Sequence, residues 1–286
     1  MNTQFWIIQA FNGLSYGALL FLVGSGLSLI FGVMRIVNLA HGSYFLLGGY
    51  VALSVIWTTG SWLLAIPVAA LTIGVLGLLM ERFFLRPLGF DPLRQVLLTV
   101  GFAFLFQQAA LDIWSGNNFD ITPPAILSKS IPIAGIYFPT YRMFMIATAL
   151  VIGIVLWLAM EKTRLGAKVR ATVDDAQMAR GVGVDTNKIS MLIFALGAFL
   201  AALGGVIGGA FLGIYPGLDF EMLPLAFAVV IIGGMGSLGG AAIGALAVGL
   251  ADNFGKALFP EISYFTLYAP MALILAIKPT GLFGRE

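Results

Sequence analysis

Cysteine is absent from the chain, and histidine occurs once, at His41. Without cysteine the chain can form no disulfide, no thiolate metal site and no cysteine nucleophile. No Asp or Glu lies within ten residues of His41 on either side, so the local sequence does not support a metal site there. We therefore predict that the chain binds neither a metal nor another cofactor.

The motifs of ATP hydrolysis and of common hydrolases are missing as well. No G-x-x-x-x-G-K-[ST] phosphate loop occurs, because Gly255-Lys256 lacks both the spacing and the following hydroxyl residue. The H-E-x-x-H and G-x-S-x-G motifs are also absent. The sequence thus predicts a protein that is not an enzyme and does not itself hydrolyse ATP.

Charge is scarce along most of the chain. Charged residues make up 10% and apolar residues 60% of it, whereas soluble proteins carry about 25% charged residues. A helix needs about 20 apolar residues to cross the hydrocarbon core, so the longest uncharged runs cross twice or fold back. The 36 glycines cluster in these runs and favour closely packed helices over an outer-membrane barrel. Asp, Glu, Lys and Arg are missing from 1–34, 36–80, 95–111, 143–160, 189–218, 222–251 and 262–277.

These runs predict an all-α, polytopic inner-membrane helical bundle with about seven to nine transmembrane or re-entrant helices. We expect it to form one transmembrane domain over 1–286. Because the first 34 residues lack a basic n-region, we interpret them as a retained first span and not as a cleaved signal.

The distribution of Lys and Arg predicts the orientation of the bundle. Three arginines fall in the short loop after the second uncharged run, and six Lys or Arg residues fall in 161–188. Cytoplasmic loops carry such an excess, so we place both segments in the cytoplasm. The polar, proline-bearing 113–142 is then the main external loop, and the acidic 215–221 is a second external turn. The N-terminus is external and the C-terminus cytoplasmic. The net charge of +2 reflects this orientation and does not indicate a nucleic-acid partner.

The most charged part of the chain, 161–188, holds ten charged residues between long uncharged runs. We predict one amphipathic helix over roughly 166–182 that ends near Gly181, with Arg170 and Asp174 placed to pair across one turn. An exposed apolar stripe on so short a helix would need a groove on a partner protein to pack against. The alternative is that this segment is an ordinary charged loop. The stripe consists of apolar residues at three- and four-residue steps, namely Val169, Val173, Ala176, Ala179 and Val182.

Two other stretches interrupt the apolar runs. Asn38, His41 and Gly42 lie where the first run joins the second. The glycine cluster of 233–244 predicts a broken helix or a re-entrant pair of half helices, because each glycine weakens a helix by about 1 kcal/mol. Close packing of small residues is the alternative there, and a buried structural histidine is the alternative at His41. Paired interruptions, here 38–49 and 233–244, can mark a substrate site between structural halves.

Four motifs in order resemble those of the integral membrane permease of branched-chain amino acid ABC importers, over nearly the whole chain. Residues 37–42 are similar to the family's I-N-[FL]-A-H-G signature, 232–237 to its late glycine motif, and 279–285 to its C-terminal tail. The charged stretch 161–188, which we call the coupling segment, also resembles the importers' E-A-A-x-x-x-G loop, with Asp175 in place of Glu and Gln177 in place of the second Ala. The residues that the resemblance assigns to coupling are Gly166, Arg170, Ala171, Asp174, Asp175, Met178, Ala179, Gly181 and Gly183.

This resemblance implies a complex in the lipid of a bacterial inner membrane. Its members would be this permease, a second related permease, two cytoplasmic ATP-binding subunits and a periplasmic solute-binding protein. Branched-chain or related amino acids would be the substrates, and the binding protein would do much of the selection. The translocation path would include Asn38, His41, Gly42, Gly233, Gly234, Gly236 and Ser237.

Two other functions stay open on the sequence. An ion-coupled secondary transporter or channel for small solutes would need no ATPase, but it would need a titrating group such as His41, Asp112 or Asp252. A membrane scaffold or assembly factor would need none of the helix interruptions.

Overall fold

The computed structural model describes residues 3–89, 91–133, 135–278 and 281–284. Three residues of the tail motif, Pro279, Thr280 and Arg285, lie outside the described residues. The structure has a two-stranded antiparallel hairpin, β1 (Ser130–Ile133) and β2 (Ile136–Pro139), between the fourth and fifth helices. The helices are α1 (Thr3–Met34), α2 (His41–Thr59), α3 (Trp62–Met80), α4 (Pro92–Trp114), α5 (Thr140–Lys162), α6 (Arg164–Asp174), α7 (Ala176–Gly181), α8 (Thr186–Leu212), α9 (Leu218–Gly233), α10 (Leu238–Leu258) and α11 (Ser263–Ile277).

Six helices of the described residues are long and apolar enough to cross a membrane: α1, α3 with its extension to Leu88, α4, α5, α8 and α10. Three further apolar helices, α2, α9 and α11, have 19, 16 and 15 residues. The prediction of an all-α polytopic bundle is confirmed, and these nine apolar helices fall within the predicted range.

The bundle has two distinct ends. α6 and α7 lie at one end beside Arg35, which follows α1, and Pro92, which begins α4; we call this end the charged face. The β1–β2 hairpin lies at the opposite end, where Phe138 contacts Phe11 of α1; we call this end the hairpin face. α9 ends at the charged face, where the N–H of Phe283 in the tail donates to its last carbonyl, that of Gly233. The start of α1 and the tail therefore lie at opposite faces.

Two helices begin inside the bundle instead of at one of its ends. α2 starts at His41, whose ring contacts the carbonyl of Val23 two thirds of the way along α1, and runs to the hairpin face. α9 starts beside α2, because the Ser43 hydroxyl bonds to the Asp219 carboxylate, and runs to the charged face. We call α2 and α9 the half helices. Each follows a long helix and a non-helical segment, 35–40 before α2 and 213–217 before α9.

The helix contacts have the pattern of an inverted repeat. α1 packs against α10 as α8 packs against α3. α2 contacts α3 and α4, and α9 correspondingly contacts α10 and α11. The helices α1 to α4 therefore correspond in order to α8 to α11, and each helix runs through the bundle in the direction opposite to its counterpart. Inverted repeats are common in transporters, where the site lies between the halves.

Glycine makes these close helix contacts possible. A Cβ atom at Gly205 of α8 would overlap the carbonyl oxygen of Phe45 in α2. A Cβ atom at Gly249 of α10 would overlap the backbone of α1 at Gly17. With only hydrogen at these positions the backbones approach closely, which drives helix association in lipid.

Two sequence predictions about these interruptions are corrected. The glycine cluster does break the helix, but its turn lies at the charged face, where Gly236 packs against Gly32 near the end of α1. The interruption that matches 35–40 is 213–217, which overlaps the external turn predicted at 215–221. That turn prediction is wrong for 218–221, because these residues form the first turn of α9 and Asp219 is buried.

Candidate functional site

Asn38 and His41 lie at the start of α2 and are completely buried. The Nε2 of His41 lies 3.0 Å from the carbonyl oxygen of Val23, so this nitrogen donates and Nδ1 is left as an acceptor. The Asn38 side-chain oxygen accepts from the N–H of Ala40 and shapes the turn into α2. Among the described residues neither His41 Nδ1 nor Asn38 Nδ2 has a hydrogen-bond partner. Asn38 and His41 therefore place polar atoms inside the bundle, at the point where α2 begins.

Ser43 and Asp219 join the two half helices. The Ser43 hydroxyl donates to Oδ2 of Asp219 at 3.1 Å, and both residues are buried. Gly42 makes the approach possible, because a Cβ there would overlap the carbonyl oxygen of Asp219. Asp219 lies in the first turn of α9, where free backbone N–H groups favour a negative charge. Its second oxygen, Oδ1, has no hydrogen-bond partner among the described residues.

The residues of the glycine cluster form the tight turn from α9 to α10. Gly234 and Gly236 have φ values of 106° and 78°, which side-chain-bearing residues rarely adopt. Ser237 caps α10 by accepting from the N–H of Gly240 at 3.0 Å. Gly233 packs directly against the backbone of Gly240. The structure thus separates the predicted path residues into an internal group near His41 and a group at the charged face.

The other ionisable residues proposed for an ion path lie nearer to the ends of the helices. Asp112 is exposed and accepts from the Gln108 side chain at 2.9 Å. Asp252 is buried but forms an ion pair with Lys256 at 2.8 Å.

The coupling segment is two helices and not the single helix that was predicted. Asp175 ends α6 and begins α7, because its carboxylate accepts from the N–H groups of Gln177 and Met178 at 2.8 and 2.9 Å. A side chain that caps an N-terminus in this way favours a break over helix continuation. α6 and α7 therefore meet at an angle set by one residue.

The apolar stripe of this segment also differs from its prediction. Val169 is buried in a cluster with residues from the ends of α1, α5 and α8. Ala179 is buried as well, so neither residue is available to a partner's groove. The exposed apolar residues of α7 and its end are Met178 and Val182, with 67% and 74% of their surface accessible. Arg170 bonds to the carbonyl of Met160 and pairs with Glu161 at 3.7 Å, so its ion pair is with the end of α5 and not the predicted one with Asp174.

The predicted coupling residues divide by exposure. Gly166 and Ala179 face inward, and a Cβ at Gly166 would overlap the Met160 carbonyl, so they position the helices. Arg170 and Ala171 are partly exposed. The residues open to an approaching partner are Asp174, Asp175, Met178, Gly181 and Gly183.

A cleft of about 460 Å³ connects the coupling segment to the start of the first interruption. Its walls include 172–177 on one side and Arg35 on the other, with Gln95 of α4 completing it. Arg35 has a φ of 54°, an uncommon value for a residue with a side chain, and begins the segment that leads to Asn38. The coupling segment and the backbone that leads to the start of α2 therefore line one cleft.

Charges at the edge of the charged face fix the ends of the neighbouring helices. The buried carboxylate of Glu81 pairs with Arg86 at 2.8 Å, and Arg86 also donates to the carbonyl of Asn187. Asp185 caps α8 through the N–H of Lys188. That backbone hydrogen bond, followed by the one from the Lys188 side chain, lowers the pKa of the Asp185 carboxyl. The carboxylate therefore stays ionised in its capping role.

Sequence reasoning missed Ser43, Asp219 and Glu81. Tyr215-Pro216-Gly217 shortly before Asp219 was the available signal, because a proline and glycine with an acidic residue in the following turn can begin a helix. A partner 176 residues away could not be inferred from local spacing.

Comparison with known proteins places the chain in a family. A family model described as branched-chain amino acid transport system / permease component matches residues 9–275. The chain belongs to this family of permeases.

Curated relatives match along the whole chain. The high-affinity branched-chain amino acid transport system permease proteins LivH of Salmonella typhimurium and of Escherichia coli K12 are each 30% identical over 100% of this chain and 98% of their own length. The corresponding protein BraD of Pseudomonas aeruginosa is 27% identical over 98% of this chain and 96% of its own. No solved structure matches. The resemblance noted in the sequence is confirmed.

Proposed function

We propose that this permease is the membrane-spanning subunit of an ATP-driven importer and carries branched-chain or related amino acids. Its close relatives are permease proteins named for branched-chain amino acid transport. The proposed partners are two ATP-binding subunits, a second related permease and a periplasmic solute-binding protein. We further propose a bacterial inner membrane, with the charged face in the cytoplasm, the N-terminus outside and the C-terminus inside.

The observation that carries this proposal is the cleft between the coupling segment and Arg35. Exposed Met178 and Val182 offer a small apolar contact on the charged face, which suits docking on a cytoplasmic subunit. Closure of the ATP-binding subunits would push on α6 and α7. The push would pass to Arg35 and then to the start of α2, so that the half helices change the opening of the path.

The proposed path joins the two groups of predicted residues. Asn38, His41 and Gly42 lie at the internal start of α2, and the turn from Gly233 to Ser237 lies at the charged face. Both helix starts and the glycine turn can move as units, because glycine and the non-helical segments absorb changes of backbone angle. The rest of the bundle can then remain rigid.

One observation favours an ion-coupled transporter as the second candidate. Asp219 is a buried carboxylate inside the bundle, and such residues are often proton or sodium sites. In that case transport would require Asp219 and would not require ATP.

Co-purification and reconstitution separate the two functions. The tagged chain is extracted gently from its own host, its partners are identified by mass spectrometry, and uptake of leucine is measured in liposomes with and without ATP. We expect an ATP-binding subunit and a second permease to accompany it, and uptake to need ATP. Recovery of the chain alone, with uptake driven by a proton or sodium gradient, would overturn the importer proposal.

Variants of the coupling segment test its role within that complex. Met178→Asp places a charge on the exposed contact, and Gly181→Pro disturbs the end of α7. Arg170→Glu breaks the contacts that hold α6 to α5. We expect all three to release the ATP-binding subunit while the permease still inserts. Asn117→Asp, the same change of charge on the exposed loop of the hairpin face, is the control and should keep the complex.

A further inference from the structure

Glu221 is an exposed carboxylate at a depth where the bundle should meet lipid. It lies in the first turn of α9 and precedes the end of that helix at Gly233 by about 18 Å, at about 1.5 Å per residue. The hydrocarbon core of a bilayer is about 30 Å thick, so this depth is well inside it. The same helical turn contacts Ser43, which precedes the end of α2 at Thr59 by about 24 Å, so it also lies deep when measured from the hairpin face.

A carboxylate at this depth does not face lipid without a large cost. Glu221 is exposed on the surface of the subunit, and the ion pairs of the described residues do not include it. The Tyr215 hydroxyl donates to its Oε2 at 2.8 Å and holds the carboxylate in place. The wall that carries Glu221 therefore faces water or protein in the assembled transporter.

Aromatic side chains lie next to this carboxylate. Phe220 of α9 and Phe104 of α4 contact each other with ring centroids 5.9 Å apart, and 42% and 58% of their surfaces are exposed. The Glu221 carboxylate thus lies beside an apolar aromatic surface on the exposed face of α9. This is the complement of a molecule with an ammonium group and an aliphatic side chain.

We propose that Glu221, Phe220 and Phe104 line the solute path and that the Glu221 carboxylate binds the ammonium group of the transported amino acid. Phe220 and Phe104 then contact its aliphatic side chain. The identity of the ligand rests on the proposed function, whereas the exposure of this wall to water does not. Asp219, one residue before Phe220, is sealed against Ser43 and serves to hold the half helices together.

Cysteine labelling tests the exposure, because the native chain has no cysteine. Glu221→Cys is compared with Val151→Cys, which lies about 17 Å from the end of α5 and is 56% exposed on a different wall. The purified transporter in lipid nanodiscs is treated with a charged, water-soluble thiol reagent, and the mass of this chain is followed. A thiol reacts as its thiolate and so needs water. We expect Glu221→Cys to react at least tenfold faster than Val151→Cys.

Equal, slow reaction of the two cysteines would overturn the proposal. The Glu221 wall would then face lipid, or a cation of the second permease would cover it. This result does not depend on transport. If the transporter takes up leucine with ATP but Glu221→Cys is not labelled, only the present inference is contradicted. If Glu221→Cys is labelled but uptake does not need ATP, only the proposed function is contradicted.

Protection from labelling tests the ammonium contact. Phe220→Cys is labelled in the presence of leucine, of 4-methylpentanoate, which lacks the amine, or of 3-methylbutylamine, which lacks the carboxylate. The solute-binding protein is left out so that it cannot select. We expect leucine and the amine to protect, and the concentration of leucine needed for half protection to rise at least tenfold when Glu221→Gln is added. Equal protection by 4-methylpentanoate, or unchanged protection with Glu221→Gln, would show that the carboxylate does not bind the ammonium group.

Discussion

The Ser43 hydroxyl bonds the start of one half helix to the start of the other. Ser43→Ala removes the donor to Asp219 and leaves a second oxygen of a buried carboxylate unsatisfied. We expect a loss of stability of about 1–3 kcal/mol, seen as a lower midpoint of thermal unfolding. Ser15→Ala is the control, since Ser15 is equally buried but bonds only to a carbonyl one turn back in α1. A similar small shift in both variants would show that the bond contributes little.

Gly166 is required by the crossing of α6 beneath the end of α5. In Gly166→Ala the new methyl group would overlap the Met160 carbonyl, which belongs to the backbone and cannot swing away. We expect α6 to move and the ATP-binding subunit to be released, with a cost of about 1–3 kcal/mol. Gly181→Ala is the matched control, because nothing lies within 4 Å of its new Cβ. Its complex should survive, and co-purification distinguishes the two variants.

Local sequence predicts single residues well only when their partners are near. Asn38 and His41 were singled out by their position between two apolar runs, and the structure finds both buried at a helix start. Asp219 was assigned to an external turn, because its neighbours are acidic and its partner Ser43 comes from a distant helix. Burial of a charge depends on tertiary packing, which periodicity does not report.

Among the elements, the coupling segment depends on a capping residue. Asp175→Ala removes the acceptor for the first N–H groups of α7 at a cost of about 1 kcal/mol, whereas Asp175→Asn keeps an acceptor there. We expect α7 to fray in the alanine variant. Hydrogen exchange of the amides of Gln177 and Met178 should become faster in Asp175→Ala and change little in Asp175→Asn. Equal exchange in both would mean that packing of Ala179, and not the cap, holds α7.

Sequence periodicity located the elements and missed the breaks within them. The longest uncharged run, 36–80, was predicted to cross twice or fold back, and it holds the two helices α2 and α3. The predicted helix over 166–182 is instead two helices, because the carboxylate of Asp175 competes for backbone N–H groups in a way that apolar spacing does not reveal. The glycine cluster was recognised as a break, but its depth in the bundle was set by the pairing of α9 with α10.

At the scale of the whole molecule, the inverted repeat explains why function concentrates where the half helices meet. Each half of the bundle supplies one interruption, and the two half helices leave the contact between Ser43 and Asp219 in opposite directions. The coupling segment lies between the halves in sequence and lines the same cleft as Arg35 of the first half. We expect a push at this point to shift one half relative to the other, a motion that would change access from one side to the other.

The same arrangement predicts the sidedness of the chain. The start of α1 and the hairpin lie at one face, and α7 lies at the other. Because the chain has no cysteine, Gln4→Cys, Asn117→Cys and Met178→Cys each introduce one thiol, and all three positions are exposed. In intact cells with a permeable outer membrane, an impermeant reagent should label the first two and should reach Met178→Cys only after the inner membrane is opened. Cytoplasmic loops carry the excess of Lys and Arg, which is the physical reason for this orientation. Labelling of Met178→Cys in intact cells would place the coupling segment outside and would remove the possibility that a cytoplasmic ATP-binding subunit acts on it.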